Sequence, residues 1–374
     1  MLQRDFNLNS LVQSGKVLVI YGPRRTGKTT ILRNYLNNCG LKYKLDSGDD
    51  IRTASILGSR NFESILEYAA GYDLIAIDEA QQIKNIGMGL KIIVDNIPNI
   101  KVIATGSSSF DIKQNIGEPL TGRKREITLY PFSQKEMLAK YNKFELREKL
   151  NDFLVFGSYP DAALADSRNE KIEILVELVN SYLLKDILAL ENLRASKQLV
   201  DLLKLLAFQV GSEVSLNELA TQVSLDVKTV QKYLDILEKS FVIKRLTSFS
   251  RNLRKEVSTK SKYFFVDNGI RNGIILSFNK IEDRDDKGKL FENFLMIERI
   301  KKNSNNRLHY NSYFWRTIDK KEIDLIEDKD ASLNGYEFKF SPGKQYKIPK
   351  AWVDAYPNSP VEIITSENYL DFLL

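Results

Sequence analysis

The stretch Tyr21-Gly22-Pro23-Arg24-Arg25-Thr26-Gly27-Lys28-Thr29-Thr30 indicates the fold of the domain around it, because Gly22 to Thr29 match the pattern G-x-x-x-x-G-K-S/T at every fixed position. The apolar residues Val17 to Ile20 before it predict a buried strand, and Lys28 to Asn38 after it predict a helix. A glycine-rich turn between a strand and a helix can point successive backbone N–H groups inward, where the helix dipole also attracts an anion. The stretch therefore predicts a cradle for the phosphates of a nucleotide.

The residues of this P-loop, or Walker A motif, have distinct predicted roles. Lys28 is predicted to contact the β- and γ-phosphates, and the Thr29 hydroxyl to bind Mg²⁺. The other predicted nucleotide-binding residues are Gly22, Pro23, Arg24, Arg25, Thr26, Gly27 and Thr30. A chance glycine-rich turn is the alternative, but the flanking strand and helix and the motif that follows favour the cradle.

A second motif lies about fifty residues further on, where the apolar run Leu74 to Ile77 ends in Asp78 and Glu79. Carboxylates at the C-terminal end of a strand lie where an open α/β sheet binds its ligands. Asp78 suits a water-mediated contact to Mg²⁺, and Glu79 suits the general base that orients the attacking water. An Asp-Glu pair alone would indicate an ordinary polar loop; after a complete P-loop, the catalytic interpretation is favoured.

Two further elements are predicted between these motifs. Lys42 to Leu45 predict a short strand that ends at Asp46. Asn61 to Ala70 predict an amphipathic helix whose inward residues are Phe62, Ile65, Leu66 and Ala69.

A third predicted strand, Lys101 to Thr105, is followed by Gly106 and three serines, Ser107 to Ser109. These hydroxyls follow the strand where a γ-phosphate sensor would lie. Serine also caps helix N-termini, so a capping role is an alternative, and the two roles can coexist.

Composition limits the class of protein. The chain has 374 residues and 43% hydrophobic content, which at roughly 100 to 200 residues per domain predicts two or three globular domains. One cysteine, Cys39, and one histidine, His309, exclude an internal disulfide and a histidine-cluster metal site. No apolar run reaches the length of a membrane span, so we expect a soluble cytoplasmic protein without a membrane partner. The net charge of +6 favours anionic partners.

Several stretches resemble successive motifs of prokaryotic AAA-type ATPases. They are Gly22 to Thr29, Ile77 to Gln81, Thr105 to Ser108, Thr121 to Arg123 and Leu129 to Ser133. In that family the ATPase core is followed by a C-terminal domain of unknown function with a nuclease-like end. The resemblance covers nearly the whole chain, and it implies a parallel sheet with an extra strand between the P-loop strand and the Asp-Glu strand.

The resemblance also implies further site residues. Ser107 or Thr105 would be the sensor, and Arg123 would be the arginine that meets the phosphate, in its own chain or in a neighbouring copy. Arg125 lies two residues away and is the alternative arginine. ATP is favoured over GTP, because no N-K-x-D motif follows the sheet and Asn279 to Glu282 is misplaced and ends in glutamate. The predicted activity is ATP hydrolysis.

The middle of the chain predicts helices followed by a winged helix. Residues Gln134 to Leu206 carry long apolar stripes, and we expect these helices to cover the nucleotide as a lid. Ser215 to Glu218 form a capping box, and the apolar stripe from Val227 to Leu237 predicts a second helix at helix-turn-helix spacing. Strands are predicted at Phe241 to Arg245 and Lys262 to Val266.

The stretch from Lys244 to Lys262, which contains the loop between those two strands, is basic. One acidic residue, Glu256, accompanies seven basic ones: Lys244, Arg245, Arg251, Arg254, Lys255, Lys260 and Lys262. A basic wing beside a recognition-type helix is the pattern expected of a DNA-binding protein. Winged helices also act as protein-protein spacers, so that role is the alternative.

The C-terminal end predicts a second cluster of charged side chains. Glu292 lies on a predicted helix, Asp324 on a strand, and Glu337 and Lys339 on one face of the next strand. This arrangement resembles the PD-(D/E)XK nuclease site, in which Asp324 and Glu337 would hold Mg²⁺ and Lys339 would polarise the attacking water. Ordinary alternation on a surface strand explains Glu337 and Lys339 equally well.

Together these patterns predict an α/β protein with a P-loop NTPase sheet, a helical lid, a winged helix and a restriction-endonuclease-like α/β domain. The predicted boundaries are residues 1–131, 132–195, 196–280 and 281–374, with Glu282 to Lys289 as a linker. The nucleotide state would control engagement of DNA by the last two domains, with metal-dependent cleavage as one outcome. The alternative is an ATP-gated binding switch with an inactive nuclease-like docking domain. The sequence leaves open a homo-oligomer.

Overall fold

The computed structural model describes residues 2–107, 119–184, 196–249, 261–330, 332–343 and 346–374. This part of the chain forms two compact units. The first, here the P-loop unit, contains Arg4 to Pro131 together with Lys239 to Phe241. The second, here the C-terminal unit, contains Phe132 to Glu238 and Val242 to Leu374, with the N-terminal residues up to Gln3. No helix in the described ranges is long and apolar enough to span a membrane.

The P-loop unit is built on a parallel sheet. Its strands, counted over the described residues, are β1 (Val17–Tyr21), β2 (Tyr43–Ser47), β3 (Leu74–Asp78), β4 (Lys101–Gly106) and β5 (Lys124–Thr128). Their order across the sheet is β2-β3-β4-β1-β5. Since β4 lies between β1 and β3, the extra strand implied by the family resemblance is confirmed.

Helices pack on both faces of this sheet. Those in the described part of the unit are α1 (Leu8–Leu11), α2 (Lys28–Asn38), α3 (Ile51–Gly58), α4 (Phe62–Ala69) and α5 (Ile86–Asn96). Val17 and Val19 of β1 belong to one apolar cluster, whereas Leu18 and Ile20 belong to another. Burial on both faces explains why β1 is a continuous apolar run rather than an alternating one.

The carboxyl ends of β1, β3 and β4 lie at one edge of the sheet. Tyr21 is level with Gly106, and Ile77 is level with Ala104. The segments that follow these strands therefore begin side by side, at the edge where parallel sheets bind ligands.

Helix α4 differs from the prediction at one side chain. Ile65 and Ala69 are buried and Leu66 is partly buried, as expected, but Phe62 is 57% exposed. Phe62 is the first residue of the helix. Tyr68 is buried instead, and its hydroxyl donates a hydrogen bond to Asp46 (2.6 Å), which satisfies its polar atom. The inward placement of Phe62 was wrong.

The C-terminal unit begins with a run of helices. They are α6 (Gln134–Met137), α7 (Lys143–Glu148), α8 (Leu150–Phe156), α9 (Pro160–Leu164) and α10 (Arg168–Leu178), followed by a π-helical segment (Val179–Leu184). Residues of α8 and α10, such as Leu154 and Leu175, share one large apolar core with the rest of the unit. The lid role of these helices stays a prediction.

The helices and strands of the segment predicted to be a winged helix, here the winged-helix part, come next. They are α11 (Ser196–Phe208), β6 (Glu213–Val214), α12 (Leu216–Gln222), α13 (Val227–Lys239), β7 (Ile243–Ser248) and β8 (Ser261–Phe265). The Ser215 hydroxyl caps α12 by accepting from the Glu218 N–H. Strand β8 pairs antiparallel with both β6 and β7. The predicted helix-turn-helix and its two flanking strands are therefore present.

The remaining elements continue the same sheet. They are α14 (Asn268–Ile274), α15 (Lys287–Asn305), β9 (Asn311–Arg316), β10 (Glu322–Lys329), β11 (Ser332–Lys339), α16 (Lys350–Ala355), β12 (Val361–Thr365) and α17 (Tyr369–Leu373). Over the described residues this sheet is mixed, with the order β12-β11-β10-β9-β7-β8-β6. Thr247 of β7 pairs with Tyr313 of β9. The predicted winged-helix and nuclease-like domains therefore share one sheet.

The segment Glu282 to Lys289 is not the linker that its polar composition predicted. It contains the end of a 3₁₀-helix (Ile281–Asp283) and the start of α15. Asp286 accepts from Arg284 (2.7 Å) and from Arg271 (2.6 Å), and both arginines are buried. Charged residues that pair with one another can be buried, which the composition of a short segment does not reveal.

The chain enters the C-terminal unit through a buried polar network. The Phe132 N–H donates to the carbonyl of Ser158 (3.0 Å), and the Gln134 N–H donates to Glu298 Oε2 (2.7 Å). Lys301 Nζ donates to the Phe132 carbonyl (2.9 Å) and to Glu298 Oε1 (2.7 Å). This junction network, Phe132, Gln134, Ser158, Glu298 and Lys301, fixes the first residues of the unit against α15.

Candidate functional site

The P-loop has the backbone that a phosphate cradle requires. Gly22 has φ +148°, and a Cβ there would lie 2.2 Å from the Leu129 carbonyl oxygen, so only glycine fits. Gly27 has φ +90° immediately before α2. The Thr26 hydroxyl closes the turn by donating to the Pro23 carbonyl (2.8 Å). The two glycine conformations and the Thr26 hydrogen bond therefore fix the shape of the loop.

Lys28 lies inside this loop and is only 5% exposed. Its ammonium donates to the carbonyls of Gly22 (2.9 Å) and Pro23 (2.8 Å). Burial lowers the pKa of Lys28 to about 8, although Glu79 and Asp78 nearby act in the opposite direction. A buried ammonium bonded to neutral carbonyls is poised to pair with an anion, which fits a phosphate oxygen.

Two oxygen ligands suited to Mg²⁺ lie beside the loop. Thr29 Oγ1 donates to Asp78 Oδ2 at 2.7 Å, and the Thr105 hydroxyl donates to Asp78 Oδ1. Mg²⁺ prefers hydroxyl, carboxylate and phosphate oxygens and keeps several waters. The donor set of Thr29 and Asp78 therefore fits the Mg²⁺ of a bound nucleotide.

Glu79 is held in an unusual conformation next to these ligands. Its φ of +50° is in the left-handed region, and its N–H donates to Thr105 Oγ1 (3.2 Å). The Gln81 amide donates both to Glu79 Oε2 and to Ser107 Oγ (3.2 Å). The carboxylate is thus tied to the predicted sensor serine through Gln81, a side chain to which the motif pattern had assigned no role. Ser108 and Ser109 lie outside the described residues.

A cleft of about 420 Å³ opens at this edge of the sheet. Most of its lining residues were predicted, but Asp49 and Gln82 also line it, and the sequence did not indicate them. The full lining is Arg24, Arg25, Gly27, Lys28, Thr29, Thr30, Asp49, Glu79 and Gln82. Residues of the P-loop and Glu79 of the Asp-Glu motif therefore line the same cleft.

Arg123 does not reach this cleft within its own chain. It precedes β5, whose Lys124 is level with Val17, whereas the P-loop follows Tyr21 at the far end of β1. Arg123 forms an ion pair with Asp95. Arg125 also points elsewhere, since its guanidinium donates to the Ser10 carbonyl (3.1 Å) and to Gln13 (3.0 Å). The sheet register excludes a phosphate contact in cis; a contact in trans stays a prediction.

In the C-terminal unit, the predicted acidic residues lie close together. Asp324 on β10 faces β11, where its Oδ2 accepts from the Phe338 N–H (2.8 Å) next to Glu337. Glu337 and Lys339, on one face of β11, form an ion pair. Burial, and then the proximity of Asp324, raise the pKa of Glu337 to about 7.

The centre of this cluster is occupied by a lysine from the winged-helix part. Lys262 on β8 is 1% exposed, and its Nζ lies 3.0 Å from Glu292 Oε1 and 3.9 Å from Asp324 Oδ1. It also bonds to Glu322, an acidic residue that the sequence did not indicate. Burial alone would lower the pKa of Lys262, but these three carboxylates raise it above its ordinary value. Burial raises the pKa of Glu292 to about 8.

These contacts bear on the Mg²⁺ site that the nuclease resemblance implied, since one carboxylate oxygen each from Glu292, Glu322 and Asp324 lies within 4.8 Å of the others, a spacing that could hold a metal ion. A divalent ion needs several oxygens within about 2.1 Å, and the Lys262 ammonium lies between the carboxylates that would supply them. Glu337 Oε1 is itself paired with Lys339 on the same strand. The predicted metal binding by Asp324 and Glu337 therefore stays a prediction: Asp324 and Glu292 belong to a carboxylate cluster whose spacing could hold a metal ion, and in this structure the Lys262 ammonium lies among these carboxylates.

The predicted basic wing is described only in part. Arg251, Arg254, Lys255 and Lys260 lie outside the described residues. Lys244 pairs with Glu238 (2.8 Å), and Arg245 donates to Ser261 Oγ (2.8 Å). Lys262 is buried among carboxylates and cannot contact a phosphate there. The structure therefore removes Lys262 from the set of predicted DNA-contacting residues.

Comparison with protein-family models matches three consecutive segments of the chain. Residues 14–138 match the model described as AAA domain. Residues 147–281 match a domain of unknown function (DUF8612), and residues 287–370 match another (DUF4143). The chain thus has an AAA-type P-loop domain at its N-terminal end, followed by two domains of unknown function, as the resemblance implied in outline.

Relatives with similar sequences occur in archaea and bacteria. A protein of Methanocaldococcus jannaschii is 27% identical over 80% of this chain and 69% of its own length. A protein of Haemophilus influenzae is 26% identical over 88% of this chain and 84% of its own. A protein of Mycobacterium bovis is 24% identical over 89% and 72%, respectively. All three are described as uncharacterized, so they indicate no activity for this chain.

Proposed function

We propose that the P-loop unit binds ATP with Mg²⁺ and hydrolyses it. The observation that carries the proposal is the convergence of Lys28, Thr29, Asp78 and Glu79 at the carboxyl edge of the sheet. The AAA-domain match over residues 14–138 supports it.

Each side chain has a role that follows from its position. Lys28 binds phosphate oxygens, and Thr29 and Asp78 hold Mg²⁺, which offsets negative charge on the phosphates. Glu79 orients a water and accepts its proton while the water oxygen bonds to the γ-phosphorus. The bond from that phosphorus to the bridging oxygen breaks, and ADP leaves with the electron pair. Ser107 would sense the γ-phosphate, and its link to Glu79 through Gln81 supports this role.

Two substitutions separate binding from chemistry. Lys28→Ala should lose ATP binding and turnover, because the phosphate charge is left without its ammonium. Glu79→Gln should bind ATP normally but release phosphate slowly. Titration with a fluorescent ATP analogue and a phosphate-release assay measure the two effects.

The matched controls are Lys16→Ala and Glu67→Gln, which change exposed residues away from the cleft. Both should behave as wild type. Equal nucleotide binding by Lys28→Ala and Lys16→Ala would refute the cradle, and undiminished turnover by Glu79→Gln would refute the general base.

A second candidate function is nucleic-acid binding by the winged helix, controlled by the nucleotide state. The observation that favours it is α13, which follows the turn of the helix-turn-helix and exposes Lys228, Gln231 and Lys232 on one side. In such motifs the second helix enters the major groove. Protein docking through the same surface is the alternative.

Salt dependence tests this candidate. Lys228→Ala with Lys232→Ala should weaken binding to duplex DNA and reduce the log-log salt slope by about one unit per lost contact. Lys204→Ala, an exposed change on α11, is the control. Identical slopes for all proteins would assign the surface to protein docking.

A further inference from the structure

Lys262 joins three elements of the C-terminal unit through one ammonium group. Its carboxylate partners are Glu292 on α15 and Glu322 and Asp324 on β10. The ring of Phe314 on β9 lies 5.4 Å from the same nitrogen. The buried ammonium is therefore stabilised both by ion pairs with carboxylates and by a cation–π interaction with this ring.

The second oxygens of two of these carboxylates, Glu322 and Asp324, are also engaged by the protein. Glu322 Oε2 lies 3.5 Å from the Arg316 guanidinium, and Asp324 Oδ2 accepts from the Phe338 N–H. Glu337 is paired with Lys339 through Oε1, while its buried Oε2 has no hydrogen-bond partner among the described residues. In this structure the cation that contacts Glu292, Glu322 and Asp324 is therefore the Lys262 ammonium, although the three carboxylates lie close enough together to hold a metal ion.

We infer that Lys262 is the resident cation of this carboxylate cluster and takes the place that a divalent metal holds in nuclease-like sites. An ammonium cannot coordinate a water molecule as a divalent metal ion does. It therefore cannot lower the pKa of that water and activate it for attack. The cluster then ties strand β8 of the winged helix to β10 and α15 and leaves phosphodiesters uncut. This inference is independent of ATP hydrolysis, which takes place in the other unit.

Removing the ammonium should convert the cluster into a metal site. In nucleotide-free protein carrying Asp78→Asn, which removes the metal ligand of the P-loop unit, Lys262→Ala should bind Mn²⁺ at least about tenfold more tightly than the same protein with Lys262 intact. Adding Asp324→Asn should abolish the gain. Lys244→Ala, which removes an exposed lysine of β7, is the matched control and should show no gain. Calorimetry or the electron paramagnetic resonance signal of free Mn²⁺ measures binding.

Lys262→Ala leaves buried carboxylates without a partner, so its folding in the presence of a chelator is measured first. If the variant is unfolded there, recovery of a cooperative melting transition on adding Mn²⁺ supports the inference. If Mn²⁺ does not restore folding, the double variant Lys262→Met with Glu322→Gln is used instead, because it leaves less uncompensated negative charge in the cluster. Its binding of Mn²⁺ is then titrated in the same way. Tight Mn²⁺ binding by the protein with Lys262 intact, or a folded Lys262 variant that binds no more Mn²⁺ than the control, would overturn the inference.

Discussion

At the scale of single residues, Gln81 connects Glu79 and Ser107, the two residues of the candidate ATPase site that are proposed to act near the γ-phosphate. Its amide nitrogen reaches both Glu79 and Ser107, while its Oε1 is buried without a hydrogen-bond partner in the described part of the chain. Both contacts of this side chain are therefore made through its donor group. We interpret Gln81 as a positioning residue for the Glu79 carboxylate.

Gln81→Ala should lower kcat for ATP hydrolysis by about tenfold, because the carboxylate loses its orientation, while KM for ATP changes little. Steady-state phosphate release measures both constants. Gln222→Ala, which changes an exposed glutamine at the end of α12 in the other unit, serves as the control. A kcat for Gln81→Ala equal to that of wild type would contradict the positioning role.

Position 22 must be glycine because the backbone of Leu129, which follows strand β5, lies directly against it. A Cβ at this position would collide with the Leu129 carbonyl, so Gly22→Ala should lose nucleotide binding and lower the unfolding free energy by about 1–3 kcal/mol. Gly288→Ala is the matched control, since a Cβ there meets nothing within 4 Å. Urea titration and nucleotide binding measure the two effects; a Gly22→Ala protein that keeps both would contradict this account.

At the scale of elements, the strands β1, β3 and β4 of the P-loop unit could be predicted to within a few residues, because strands buried on both faces are continuous apolar runs. Strands β9 and β12 were not predicted. Each mixes polar and apolar residues without regular alternation, as in Asn311 to Arg316, so its sequence pattern did not indicate a strand. The role of Lys262 could not be predicted either, because its partners lie 30 to 62 positions further along the chain and its sequence neighbours suggested a basic wing.

The junction network gives α15 a stability and pH dependence that can be tested. Lys301→Met leaves Glu298 buried without its cation, which should cost about 3–5 kcal/mol of unfolding free energy near neutral pH. Burial already raises the pKa of Glu298, and Lys301 opposes that rise. A carboxyl whose pKa is raised by folding destabilises the fold when it is ionised, so the deficit should shrink as pH falls and Glu298 is protonated.

Urea midpoints measured from neutral to acidic pH check this expectation. Lys302→Met, which removes a donor to the neutral Phe372 carbonyl, is the control and should cost less. A deficit for Lys301→Met that does not shrink at lower pH would contradict the assignment to Glu298.

At the scale of the whole molecule, the position of Arg123 bears on whether hydrolysis needs a second copy of the chain. Arg123→Ala should leave turnover per chain unchanged at dilutions where the protein sediments as a monomer, because the sheet register keeps this arginine away from its own P-loop. Phosphate release over a range of protein concentrations, with sedimentation alongside, measures this. A loss of turnover in the monomer would contradict the cis geometry, whereas a loss confined to assembled protein would indicate a contact in trans.

The pairing of β7 with β9 also determines how the chain can be shortened. Strand β7 pairs with β8 along one edge. Along its other edge it pairs with β9, through Thr247 and Ser248. A chain that stopped at residue 280 would expose that second side as an unprotected strand edge, which is a template for intermolecular pairing. The segment 196–280, predicted from the sequence to be a winged-helix domain, should therefore aggregate when it is expressed alone, and it should be inherited together with the strands that follow it.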